Sequence, residues 1–226
     1  MFFDPMYFVY ALPGLALALW AQWKVKSTFA KYAQVPTQRG VNGTQAAEWI
    51  MSHTGVRVGV NRIAGELTDH YDPRSKTISL SESSVQNSVA SVAVVAHELG
   101  HAEQDAHNYG PLKLRGAIVP AVTVSSTVGP LIFIGGMMLR SGPLQIVGLA
   151  VFAMATLFAF ITLPVEFNAS NRALANLKAS NLLNGDELVG AKKVLDAAAL
   201  TYVAAAAQSF LTLLYYVSLM NGNRRN

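Results

Sequence analysis

With 52% hydrophobic and only 13% charged side chains over 226 residues, the chain is too apolar for an ordinary soluble domain. It contains no cysteine, which excludes disulfides and thiolate metal ligands. Its formal charge of +4 collects between the apolar stretches, so it reads as membrane topology and contact with anionic lipid rather than as a nucleic-acid surface.

In chain order, the first apolar stretch is 6–23, interrupted by Pro13 and Gly14, which membrane helices tolerate better than soluble ones do. It is not expected to be a secretory signal, because no Lys or Arg precedes it. Residues 41–54 have helical spacing at Ala46, Ala47, Ile50 and Met51, with Gly55 as the stop. Residues 56–60 and 77–80 are short and β-branched, with a turn at Asp72-Pro73-Arg74-Ser75, and predict a small sheet that Asp69-His70-Tyr71 leads into. Ser83 or Ser84 is expected to cap the next helix, which runs through Val85, Val89, Val92 and Ala96. Three further apolar stretches follow, at 117–139, 144–163 and 201–220. Like 6–23, they lack Asp, Glu, Lys and Arg, and each is about long enough to cross a bilayer.

The chemistry is concentrated in His97-Glu98-Leu99-Gly100-His101. Helix positions i and i+4 share a face, so His97 and His101 can offer imidazoles to one zinc ion. Glu98 beside them is a carboxylate able to take a proton from metal-activated water. A catalytic zinc site needs a third protein ligand and one open position. His107 has the spacing of the metzincin pattern, but that pattern turns the chain at a glycine where this sequence has Gln104. On a continuing helix, His107 would point off the ligand face. Glu166 is the stronger candidate. Two spans separate it from His101, an even number, so both lie on one side of the membrane. A carboxylate at the mouth of a span is also costly unless solvated, paired or metal-bound. Pro164 is expected to start the helix that carries it, with Ser170 one turn further on as a supporting group.

HELGHAEQ at 97–104, followed by two closely spaced spans and then LPVEFNASNRAL at 163–174, resembles the neutral zinc membrane metallopeptidases. These are gluzincins, distantly related to HtpX and the CAAX prenyl proteases. The resemblance covers most of the chain, including DHYDPRSKTISLS at 69–81. It implies His97, His101 and Glu166 as ligands of one Zn(2+) per chain, and Glu98 as general base. The related proteases carry an aspartate four residues after the ligand Glu, where this sequence has Ser170; the closer family has an acidic residue at the place of Asn168.

The expected fold is therefore mainly α. It is a multi-pass membrane protein of about four transmembrane helices with a small zincin-like α+β region from 24–116 and 164–200, and 1–226 forms a single membrane-embedded unit. The expected activity is zinc-dependent endopeptidase cleavage of a peptide or protein substrate. Zincins hold an extended peptide on an edge strand, which points to Lys76, Thr77, Ile78, Ser79 and Leu80 as the substrate ledge. Arg172, Tyr71 and His70 are candidates for stabilising the oxyanion, with Arg172 also able to support a ligand or meet a lipid headgroup. A metal-binding membrane scaffold is the alternative, against which the intact Glu98 argues. A transporter is disfavoured because the four spans contain no Asp, Glu, Lys, Arg or His. Of 17 Lys and Arg, only Arg140, Arg224 and Arg225 fall in the pieces expected outside, so the site is expected to face the cytoplasm.

Overall fold

The computed structural model describes residues 5–223. In chain order the elements are α1 (Pro5–Ala33), α2 (Gly43–Thr54), β1 (Gly59–Ile63), β2 (His70–Asp72), β3 (Thr77–Ser81), α3 (Val89–Ala106), α4 (Gly110–Met138), α5 (Gly142–Ala179) and α6 (Gly185–Asn223). They pack as two compact units. One comprises the described residues of Met1–Ala21, Leu114–Leu163 and Thr201–Asn226; the other is Gln22–Lys113 with Pro164–Leu200. This division follows the separation of apolar and polar segments in the sequence.

In the second unit, α2 forms where its apolar spacing predicts. Asn42 and Gln45 close a capping box, each side chain accepting the other's backbone N–H at 2.9 and 3.0 Å, and Gly55 ends the helix at φ 73°. Its buried face, Ala46, Ala47 and Ile50, joins a core built with Ile78, Leu80, Val89, Val92, Ala93, Val95, Ala96 and Leu99. The same core takes in Ala173, Leu177, Ala191 and Leu195.

The sheet has the order β1-β3-β2, with β1 parallel and β2 antiparallel to β3. This corrects the substrate ledge. The strand of Thr77, Ile78, Ser79 and Leu80 is the inner one, bonded on both sides and largely buried, and Lys76 lies in the turn before it at φ 52°. Its backbone groups are taken, so no peptide can add there. The first strand also begins later than expected. Val56 goes into the core instead, and pairing starts at Gly59, whose N–H donates to the Lys76 carbonyl at 2.9 Å. Neither Ser83 nor Ser84 caps α3. Ser84 donates to Asp69 and Ser83 meets Ser81, leaving Ser88 to accept the Ser91 N–H at 3.1 Å.

In the first unit, α4, α5 and α6 are long and apolar enough to cross a membrane. α1, where the first span is expected, matches α4 in length but is not among them; Tyr7, Tyr10, Pro13, Trp20 and Gln22 dilute its apolar character. α4 and α5 meet closely through glycine: a Cβ on Gly129 would stand 2.7 Å from the Phe152 nitrogen. Pro164 does not begin a helix. α5 runs through it without a break, so the helix that contains residues 144–163 is also the helix that carries Glu166.

Candidate metal centre

Two helices of the second unit build the centre. α3 is buried along almost its whole length and carries His97, Glu98 and His101; α5 carries Glu166, Asn168, Ser170 and Arg172. The helices can approach closely because of Gly100. A Cβ there would lie 2.5 Å from the carbonyl oxygen of Ala169, a distance that side chains do not tolerate. The motif glycine therefore sets how near Glu166 comes to the histidines.

Glu166 is 1% exposed, and its Oε2 lies 3.2 Å from His97 Nε2 and 3.5 Å from His101 Nε2. Tetrahedral ligands at zinc-like bond lengths are separated by about 3.3 Å, so each imidazole nitrogen stands at a ligand-like distance from the carboxylate oxygen. The three donors lie within 4.8 Å of one another and could hold a metal. Burial pushes the Glu166 carboxyl up, but hydrogen bonds from His101 and His97 outweigh this and hold it well below the usual carboxylate range. His101 shifts the opposite way: burial lowers its pKa, while its bond to Glu166 and the charges of Glu98 and Glu166 raise it on balance. Glu98 is also buried, next to His97 in the chain and within electrostatic reach of His101.

The far ring nitrogens are held as well. His97 Nδ1 lies 3.2 Å from Ser170 Oγ, one turn beyond Glu166 on α5. His101 Nδ1 lies 3.0 Å from Oε1 of Gln104, which is fully buried. The Gln104 amide donates to the Val165 carbonyl at 2.7 Å and to Asn168 Oδ1 at 3.0 Å. In the sequence Gln104 stands out only as the residue in place of a metzincin glycine. The available signal was its place one turn after His101, a long amide inside a helix otherwise buried. Glu103 and Asn176 were also missed.

The other candidates lie elsewhere. His107 caps the end of α3, with Nδ1 2.8 Å from the Glu103 carbonyl, and stays outside the three-donor group. Arg172 bonds Asn168 Oδ1 through Nε at 2.8 Å and pairs with Glu103 at 3.2 Å. The Tyr71 hydroxyl donates to Asp105 at 2.5 Å, and its pKa is raised by burial and by that carboxylate. His70 Nδ1 lies 3.0 Å from the Thr68 carbonyl on the exposed side of β2. Lys76 pairs with Asp105 near the end of α3, which ties the β2–β3 turn to that helix.

A family described as "Putative neutral zinc metallopeptidase" matches residues 7–221. The "Putative membrane protease YugP" of Bacillus subtilis is 44% identical over 225 residues, covering 98% of this chain and all of that protein. No solved structure matches.

Proposed function

The chain belongs to the family of putative neutral zinc metallopeptidases, and on that premise we propose that it is a zinc-dependent membrane endopeptidase. The observation that carries this reading is the convergence of His97, His101 and Glu166 beside a buried Glu98. Two imidazoles and a carboxylate form a borderline-soft set suited to zinc and leave one position open. Bound zinc supplies a more acidic water and a polarised scissile carbonyl. Glu98 takes the proton of the attacking water and passes it to the leaving amine. Ser170 and Gln104 orient the two rings, while Glu166 brings the negative charge that balances the ion.

The same reading takes α1 as a fourth span. Val9, Leu12, Leu19 and Trp23 are exposed along it, as expected for a helix facing lipid. The 14 Lys and Arg of segments 24–116 and 164–200 direct the site to the cytoplasm. Arg140, at the α4–α5 turn, opposes them; Arg224 and Arg225 lie outside the described residues.

The deciding experiment is zinc analysis of purified protein together with hydrolysis of a general protein substrate. Glu98→Gln should keep zinc and lose hydrolysis by a factor on the order of 10² or more. A variant that stays fully active removes Glu98 from the mechanism. Wild-type protein that binds zinc but never hydrolyses would favour the scaffold reading. Topology is checked in the cysteine-free background: a single cysteine at Ser141 should react with an impermeant thiol reagent in intact cells, and one at Ser75 should not. The reverse pattern would put the site outside.

A further inference from the structure

The hydrogen bonds behind His101 form a chain whose direction is set at one end. A guanidinium can only donate, so the Arg172 Nε contact at 2.8 Å makes Asn168 Oδ1 an acceptor. The Gln104 nitrogen then donates to that oxygen at 3.0 Å and to the Val165 carbonyl, also an obligate acceptor, at 2.7 Å. Flipping the amide would set its oxygen against two acceptors, which excludes the alternative. Gln104 Oε1 is thereby left facing His101 Nδ1 at 3.0 Å, and an oxygen there can only accept. His101 must carry a proton on Nδ1, and its Nε2, the atom turned to Glu166, is the one available to a metal.

We propose that Gln104 is the positioning residue of the metal centre: directed by Arg172 through Asn168, it fixes the tautomer and ring orientation of His101. This rests on the zinc reading above. The chain is anchored at its origin, because Arg172 pairs with Glu103, which also accepts from Asn176 and precedes Gln104 on α3. The arrangement gives Arg172 a task other than binding an oxyanion or a headgroup. It also explains why α3 continues straight through residue 104: a glycine turn there would leave His101 without its partner.

The experiment uses the full chain in detergent, loaded with zinc, and measures zinc affinity by chelator competition and the imidazole N–H protons by NMR. Gln104→Met keeps length and burial but offers Nδ1 no acceptor. It should weaken zinc 10- to 100-fold, in the range for lost outer partners of a ligand histidine, and abolish one slowly exchanging N–H signal. Gln104→Glu retains an acceptor opposite Nδ1 but turns its second oxygen on the Val165 carbonyl and Asn168 Oδ1, so it should restore the signal and only part of the affinity. A merely structural role would lower the melting temperature in both variants and leave that signal in place whenever the protein is folded. Should Gln104→Met fail to fold, Asn168→Ala tests the same chain one bond away, with a smaller loss of affinity and a faster-exchanging N–H expected. Wild-type affinity and an intact signal in the folded variants overturn the proposal while His101→Ala still loses zinc. If His101→Ala also keeps full zinc, the metal-centre reading itself falls.

Discussion

Glycine brings helices together in both units, with different consequences. At Gly129 and Gly136, α4 meets α5 so closely that a Cβ would lie 2.7 and 2.6 Å from backbone nitrogens. The groups packed in that unit are mostly apolar, such as the Phe133 ring stacked on Tyr216 at 4.7 Å. Polar contact there is sparse: Thr156 meets Ser209 at 2.8 Å, while Leu131, Met138 and Leu157 face outward. At Gly100 the same device joins α3 to the end of α5, but the side chains brought together are two histidines, two glutamates and an amide chain. Where lipid is the solvent, small residues and van der Waals contact suffice. Where water is the solvent and charge is buried, each polar group needs a partner, and the partners determine what the site can bind.

The comparison is broken most sharply by removing a ligand. His97→Ala, His101→Ala or Glu166→Gln should each bring zinc well below one per chain by metal analysis, because two remaining ligands hold it weakly. Full zinc in Glu166→Gln would end the three-donor assignment. Phe133→Ala should do the opposite, keeping zinc while costing about 2–3 kcal/mol of resistance to unfolding, mainly through the cavity it leaves. Zinc loss in that variant would show that the units are energetically inseparable.

Gly100→Ala should cost about 1–3 kcal/mol and weaken zinc, since α5 must move away from the new methyl group. Gly116→Ala in α4, where nothing lies within 4 Å, should be neutral or slightly stabilising. Equal effects in the two would contradict the role given to close approach.

A small, pH-dependent effect is expected at Asp105. Burial raises its pKa, but bonds from Lys76 and Tyr71 outweigh this and leave it below the usual range. A carboxyl depressed by folding stabilises above its unfolded pKa, and that contribution is lost as pH falls through the folded value. Asp105→Asn should therefore cost at most about 1 kcal/mol at neutral pH, since Lys76 is mostly exposed. The difference from wild type should vanish in acid, as followed by chemical denaturation at the two pH values.

Much of this protein was legible in order along the chain. Apolar length marked α4, α5 and α6, the spacing of Ala46, Ala47 and Ile50 marked α2, and the i, i+4 histidines marked the face of α3 that could hold a metal, because each of these signals is local and periodic. The sheet order was not legible. Pairing between β1 and β3 depends on contacts across intervening residues, and it turned the expected edge strand into the inner one. Pro164 misled for a related reason: a local helix-breaking preference was overridden inside a long helix that packing maintains. Gln104 carried no motif of its own. Its meaning depends on Val165 and Asn168, about 60 positions away, and only the packing of α3 on α5 supplies them. The sequence by itself marked His97 and His101 as a pair able to share a metal, since that is a property of side-chain type and helical period. Only the tertiary structure decided which nitrogen of His101 faces the centre, because a tautomer is set by partners that the chain must fold to bring near.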